Sequence, residues 1–149
     1  MKVLWPNDLS KCSEGAIPYV RSFAKHYDAE VHVLYVMHDL SKHGSWYGEF
    51  DRKTIEKLQR WEEKKAREKQ EQLCKKYFED CKKFEKHIRI GDPATEILKF
   101  IEAQQIDAVV MCRKGEAGMF KMGSVAERVV RNAPVPVVTV PSKNGAGEQ

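Results

Sequence analysis

Five short, mainly apolar segments alternate along this chain with segments of helical periodicity. Strands that are apolar on both sides are typical of a parallel sheet covered by helices on its two faces. The pattern therefore predicts a three-layer α/β sandwich, and 149 residues suffice for one such domain. The predicted strands are residues 3–5, 29–37, 87–90, 107–111 and 135–140.

The segments that follow the strands are where a ligand is expected. Right-handed crossovers limit the sheet to a few doubly wound topologies. In such sheets the ligand lies beyond the carboxyl ends of the strands, at the point where the strand order reverses. The segments of interest are residues 6–10, 36–50 and 111–124.

Three helix starts carry capping signals. Asp92 followed by Pro93 is typical of a cap and a first helical residue. Ser124 and Glu127 have the spacing of a capping box, so we expect Ser124 to cap the last helix. Ser10 is expected to cap a helix whose apolar residues face inward in one stripe. That stripe comprises Ala16, Ile17, Val20, Phe23 and Ala24.

The pattern of residues 51–81 predicts one long helix, with a length of about 45 Å at a rise of about 1.5 Å per residue. Its middle is nearly all charged, and Glu56–Arg60, Glu63–Arg67 and Glu71–Lys75 are favourable i,i+4 pairs. Two interpretations remain open, a solvated helix face or a helix that overhangs the body and contacts a partner. The two ends of the helix are amphipathic, with Ile55, Leu58 and Trp61 at one end and Leu73, Tyr77 and Phe78 at the other.

Composition narrows the class of protein. A net charge of +4 is weaker than a nucleic-acid-binding surface usually requires. No apolar segment resembles a signal peptide or a membrane span, so we expect a cytoplasmic protein. Cys12, Cys74, Cys81 and Cys112 lack CxxC spacing, which predicts reduced thiols and no metal site. We expect one domain over residues 1–141, followed by a disordered tail over residues 142–149.

Two residues after the first two strands are candidates for contact with a nucleoside. The Asp8 carboxylate is placed to accept hydrogen bonds from a ribose hydroxyl or an adenine amino group, or else to cap the next helix. Val36 offers its backbone to an adenine edge, or else simply packs within its strand. The sequence leaves both pairs of alternatives open.

The segment after the fourth strand predicts an anion site. Gly115 and Gly123 permit a close approach of the backbone. Ser124 offers a hydroxyl, and the amides of Val125 and Ala126 lie at the positive end of a helix. Two other phosphate-binding motifs are excluded. The segment is not a P-loop, because Ser124 stands where a P-loop has lysine. The chain also lacks the dinucleotide-binding motif, because no G-x-G-x-x-G follows the first strand.

Over nearly its whole length the chain resembles the universal stress protein family. "VLWPNDLSKCS" (3–13) is similar to the family opening "ILVPVDGSExS", and "GDPATEIL" (91–98) to its "GxPAxxI" stretch. "GSVAERVVRNAPVPVVTV" (123–140) follows the family's ending. The resemblance implies an adenine nucleotide alpha hydrolase-like (Rossmann-like) fold with strand order 3-2-1-4-5. It also implies a homodimer through the last strand.

The resemblance further implies ATP or AMP, with Mg²⁺ left open, across the ends of strands 1 and 4. Around adenine and ribose it places Pro6, Asn7, Asp8 and Val36. Around the phosphates it places Met111, Cys112, Lys114, Gly115, Gly123, Ser124, Val125 and Ala126. The dimer edge would be Val137 to Val140.

The chain departs from the family's phosphate loop, G-x2-G-x9-G-[S/T]. Cys112 replaces the first glycine, and seven residues rather than nine separate Gly115 from Gly123. Lys114 stands where histidine is usual, and Leu9 replaces a common glycine. The loop is altered without being erased.

Three functional hypotheses follow. The first is a nucleotide-responsive binding module that is dimeric, signals or scaffolds, and at most hydrolyses ATP slowly. The second is a stress-induced dimer or scaffold that has lost nucleotide binding. The third, an efficient ATPase or nucleotidyl transferase, is disfavoured because "PNDLSKCS" (6–13) lacks a histidine-rich signature. Redox sensing by Cys112 remains a minor alternative.

The loop 38–50 adds two further candidates. Its aromatic residues would either form a lid on a base or pack under the long helix, and packing is favoured. His38 and His43 lack a partnered carboxylate or thiol and are interpreted as surface residues. The aromatic residues are Trp46, Tyr47 and Phe50.

Overall fold

The computed structural model describes residues 1–43, 51–113 and 122–141, with the side chains of residues 42 and 43 excepted. Five parallel strands form one sheet in the order β3-β2-β1-β4-β5, which confirms the predicted topology. The strands are β1 (Lys2–Asn7), β2 (Glu30–Met37), β3 (Phe84–Ile90), β4 (Ala108–Cys112) and β5 (Val137–Val140).

Helices cover both faces of this sheet. They are α1 (Lys11–Glu14), α2 (Ile17–Tyr27), α3 (Arg52–Phe78), α4 (Pro93–Ala103) and α5 (Ser124–Asn132), with a 3-10 helix at Leu40–His43. Side chains alternate along a strand, so β1 contributes to two cores. Trp5 packs with α2 and α3 on one face, and Leu4 packs with α4 and α5 on the other.

Several element boundaries differ from those predicted. The helix expected after Ser10 is split, because α1 ends at Glu14 and α2 restarts at Ile17 with Pro18 in its first turn. β3 begins at Phe84 rather than residue 87, because Phe84, Glu85 and Lys86 already pair with β2 and the half-buried Phe84 ring stacks on Phe78. β5 is shorter than predicted and begins at Val137.

The long helix α3 spans Arg52–Phe78 and begins where Asp51 accepts a hydrogen bond from the amide of Thr54. Its second half is anchored, with Ala66, Gln70, Cys74 and Phe78 buried along one stripe. Of the apolar residues at the first end of the helix, Leu58 and Trp61 are exposed. Trp61 is 54% exposed and carries the Lys65 ammonium 4.3 Å from its ring centroid. Its first half therefore presents aromatic surface to solvent.

The start of α4 bears out the capping prediction. Asp92 Oδ2 accepts hydrogen bonds from the Thr95 amide at 3.1 Å and from the Thr95 hydroxyl at 2.6 Å. Arg128 on α5 donates to the same oxygen at 2.8 Å. These bonds, those from Thr95 first, hold the pKa of Asp92 below its usual value. The cap of α4 is thereby tied to α5.

Gly91, the residue before this cap, has a φ of 152°, a conformation that favours glycine. A Cβ there would lie 2.8 Å from the Glu96 carboxylate. Across the described residues, no helix is both long enough and apolar enough to cross a membrane.

Candidate functional site

The strand order reverses between β1 and β4, which makes their carboxyl ends the switch point of the sheet. Val3 pairs with Ala108 and Leu4 with Val109. Continued along both strands, this register sets Asn7 level with Cys112. The ends of β1 and β4 therefore lie side by side, at the place where sheets of this type form a ligand crevice.

Asn7 is the most informative residue of this crevice. Its side chain is buried, with only 8% of the residue exposed. Its Oδ1 accepts a hydrogen bond from the amide of Leu9 at 3.3 Å. Its Nδ2 is buried and has no hydrogen-bond partner within the described structure. An amide donor buried in this way costs about 1–3 kcal/mol, which an acceptor from a ligand would recover.

Asp8 is exposed and organises the turn that leaves β1. Its Oδ1 accepts hydrogen bonds from the amide of Ser10, at 2.9 Å, and from the Ser10 hydroxyl. Ser10 in turn caps α1, because its Oγ accepts from the Ser13 amide at 3.3 Å. Asp8 thus supports the helix cap through Ser10, and its exposed carboxylate still faces solvent at the crevice.

Leu9, between these residues, has a φ of 63°. A left-handed backbone costs a residue with a Cβ roughly 1–2 kcal/mol, whereas glycine adopts it freely. The family's frequent glycine at this position is explained by that conformation. The chain keeps the turn in spite of Leu9, because the Asn7 side chain accepts a hydrogen bond from the Leu9 amide and the Asp8 side chain accepts one from the Ser10 amide.

The predicted residues Pro6, Val36 and Met111 are buried at the same edge. The side chains of Val36 and Met111 belong to the core under α4 and α5. The Val36 side chain packs in the core, and the contact of its backbone with an adenine edge stays a prediction. Cys112, half-buried, ends β4.

The start of α5 corrects one prediction. Gly123, not Ser124, occupies the N-cap, and Ser124 is the first helical residue with an exposed side chain. The amide of Gly123 donates to the carbonyl of Arg113 at 2.9 Å, which fixes where the helix begins. Ser124 and the amides of Val125 and Ala126 accordingly stand at the amino end of a nine-residue helix.

The predicted Lys114 and Gly115 lie outside the described residues, as do Trp46, Tyr47 and Phe50 and the tail 142–149. Arg113 is a residue that the sequence analysis missed. It directly follows β4, its amide donates to Val140 at 2.7 Å, and its buried Nε has no partner within the described structure. Its position, a basic residue directly after a switch-point strand, is the sequence signal by which Arg113 could have been found.

Fold and crevice together define a three-layer α/β protein of the adenine nucleotide alpha hydrolase-like type. The model of the universal stress protein family matches residues 1–141, and the chain belongs to that family. It is 33% identical over 146 residues to universal stress protein MJ0531 of Methanocaldococcus jannaschii, a match that covers 93% of this chain and 81% of that relative.

Solved structures resemble the chain closely. Hypothetical protein MJ0577 of the same archaeon has a TM-score of 0.80 at 29% identity, over 96% of each chain. A universal stress protein family protein of Arabidopsis thaliana, solved with AMP bound, has a TM-score of 0.66 at 18% identity. The alignment covers 95% of this chain and 92% of that chain.

Proposed function

We propose that this protein is an adenine-nucleotide-binding module of the stress response that acts by signalling or scaffolding rather than by catalysis. The observation that carries the proposal is the buried Nδ2 of Asn7 at the switch point, a donor that has no partner among the residues the structure describes. Adenine and ribose present acceptors suited to such a donor. The AMP bound to the Arabidopsis relative supports the choice of ligand class.

The base and ribose end of the site would be formed by Pro6, Asn7, Asp8 and Val36. Asn7 Nδ2 donates to a ring nitrogen or a ribose oxygen. The exposed Asp8 carboxylate accepts from a ribose hydroxyl, and the Val36 backbone borders the base. This division follows from chemistry, because an amide donor and a carboxylate acceptor on adjacent residues select a ligand with both kinds of group.

The phosphate end would be formed by the start of α5 and the loop before it. The amides of Val125 and Ala126 and the Ser124 hydroxyl suit an anion at the helix dipole. The proposal also assigns Met111, Cys112, Lys114, Gly115 and Gly123 to the phosphate end, of which Lys114 and Gly115 lie outside the described residues. Arg113 adds a cation at the base of the loop. Mg²⁺ would enter with the phosphates, since proteins bind it largely through them.

A homodimer through Val137–Val140 is part of the proposal. β5 lies at the edge of the sheet, and Val137, Val138 and Thr139 are only half-buried. An edge strand of this composition is suited to pairing with a second copy. The exposed first half of α3, with Trp61 54% exposed, is the proposed surface for a further protein partner.

A second candidate is a stress-induced dimer or scaffold that binds no nucleotide. It is favoured by Cys112 at the place of the family's first glycine and by the seven residues between Gly115 and Gly123. A shorter loop has less reach around a triphosphate. Under this alternative the crevice is a remnant, and function lies on β5 and α3.

Native mass spectrometry of freshly purified protein, followed by calorimetric titration with ATP, ADP and AMP with and without MgCl₂, separates the two. We expect micromolar binding that weakens at least tenfold in Asn7→Ala and Ser124→Ala. The matched control is Ser22→Ala, an exposed serine on α2 that should leave binding unchanged. Absence of binding by a folded dimer would establish the second candidate.

A further inference from the structure

Two histidines from neighbouring strands meet on the α4 face of the sheet. Nδ1 of His32 on β2 lies 3.0 Å from Nε2 of His87 on β3. Glu85, the register partner of His32, brings its Oε2 to 3.9 Å from His32 Nδ1 and 3.5 Å from His87 Nε2. Three potential metal-ligand atoms thus lie within 4.8 Å of one another.

We propose that His32, Glu85 and His87 form a binding site for a divalent transition-metal ion of the zinc class. Two imidazoles and one carboxylate are a donor set that zinc accepts, with its fourth position left to water. The site lies near the amino ends of β2 and β3. It is therefore separate from the crevice at the carboxyl ends, and the proposal does not depend on nucleotide binding.

The distances suit a tetrahedral ion. Two ligand atoms each about 2.0–2.1 Å from a tetrahedral zinc lie about 3.3 Å apart. The separations of 3.0, 3.5 and 3.9 Å fall on both sides of that value. Because the Glu85 side chain is 57% exposed, its carboxylate can make most of the required adjustment.

The surroundings prepare His32 as a ligand. His32 Nε2 lies 2.9 Å from Glu30 Oε2, and a carboxylate only accepts, so this nitrogen carries the proton. The lone pair of neutral His32 is then on Nδ1, which points at His87. A carboxylate behind a ligating histidine is a recurrent arrangement that orients the ring and raises its basicity.

Packing holds the two rings in place. His32 is only 2% exposed, and the imidazoles stack with an angle of 17° between their planes. Phe100 on α4 contacts both edge-on, with centroids 5.9 Å from His32 and 4.7 Å from His87.

Neighbouring cations oppose binding. Arg89 lies on the same face of β3, with its guanidinium carbon 5.5 Å from the Phe100 centroid. Lys2 and Lys83 interact electrostatically with Glu30. The carboxylates of Glu30 and Glu85 offset part of this positive charge. Without metal, neutral His87 donates its Nε2 proton to His32 Nδ1, which accounts for their short contact. A bound ion requires that proton to move to His87 Nδ1, which leaves the Nε2 lone pair for the metal.

The test uses the full, tag-free chain after treatment with a chelator. Zn²⁺ is titrated by calorimetry, and Co²⁺ by the visible absorption that tetrahedral cobalt acquires. We expect one ion per chain, with affinity at least tenfold weaker in Glu85→Gln and His87→Gln. The control is His26→Gln, an exposed histidine on α2 that should leave the affinity unchanged.

Glu85→Gln keeps the shape of an exposed side chain, so its result stands even if His87→Gln proves poorly folded by circular dichroism. Zn²⁺ should also raise the Tm of the wild type but not that of Glu85→Gln, because the ion joins β2 to the edge strand β3. Absence of binding by the wild type overturns the proposal, as does equal affinity in Glu85→Gln. A loss caused by His26→Gln would likewise overturn it by locating the metal elsewhere.

Discussion

The amide of Gly123 donates to the carbonyl of Arg113 at 2.9 Å, so the phosphate-side loop begins and ends at one point beside β4. Gly123 has φ −62° and ψ 154°, values that residues other than glycine also adopt. The donor, rather than glycine's freedom, is what this position supplies in the structure. The closed base holds the start of α5 next to the switch point.

Gly123→Pro tests that closure. Proline fits the observed φ but has no N–H, so it removes the bond to Arg113 and little else. We expect a loss of about 1 kcal/mol in the free energy of unfolding, together with weaker nucleotide binding by titration. Gly123→Ala retains the donor and should stay near wild type in stability. Equal stability of the proline and alanine variants in urea would contradict the prediction.

The two halves of α3 should respond differently to truncation. Phe78 is 1% exposed and packs on Trp5 with ring centroids 5.7 Å apart, so Phe78→Ala should cost about 3–5 kcal/mol in the free energy of unfolding. Trp61→Ala removes an exposed ring and its contact with Lys65, which is worth about 0.5–1 kcal/mol. Urea denaturation measures both, and a larger cost for Trp61→Ala would show that its surface is buried in solution.

Asp92 should make the free energy of unfolding depend on pH in the acid range. Replacing it with alanine removes the cap of α4, at a cost of about 1 kcal/mol at neutral pH. Since the pKa of Asp92 is lowered in the folded state, its contribution is full above the unfolded value near 4. That contribution is lost as pH falls through the lowered folded value.

The difference in unfolding free energy between wild type and Asp92→Ala should therefore shrink in acid. Urea denaturation at a series of pH values between about 7 and 2 covers the unfolded and lowered folded pKa values. Glu102→Ala, on the exposed side of the same helix, is the control and should show no such convergence. A gap that stays constant to the lowest pH would mean that Asp92 caps the helix independently of its charge.

Cys74 should resist alkylation in the native protein. Burial raises its pKa to about 11, so at pH 8 about one molecule in a thousand carries the reactive thiolate. Peptide mapping after timed exposure to iodoacetamide should show Cys74 modified much more slowly than half-buried Cys81. In urea the two rates should converge. Equal rates in the native state would indicate that α3 opens readily from the sheet.

Local patterns in the chain were enough to predict the sheet and the position of the crevice. β-Branched runs define strands, and the order of strands and helices then leaves few topologies. The cap at Asp92 and the first helical residue Pro93 were equally predictable, because a cap depends on residues within one turn. Asn7 and Asp8 follow from their place directly after an apolar strand.

Contacts between segments that are distant in the sequence could not be predicted from local patterns. The N-cap of α5 is Gly123 rather than the predicted Ser124, because the hydrogen bond from the Gly123 amide to the Arg113 carbonyl fixes the backbone there. Trp61 fits a helical apolar stripe, yet the sheet lies under only the second half of α3. The side on which an amphipathic helix is buried depends on what it packs against.

The histidine pair is the clearest case. His32 and His87 are 55 residues apart and stand in separate strands, so no spacing links them. They meet because β2 and β3 pair in parallel with His32 opposite Glu85, which places His87 on the same face. Strand register is set by the whole hydrophobic core rather than by neighbouring residues. A site formed across two strands therefore becomes visible only once the sheet is assembled.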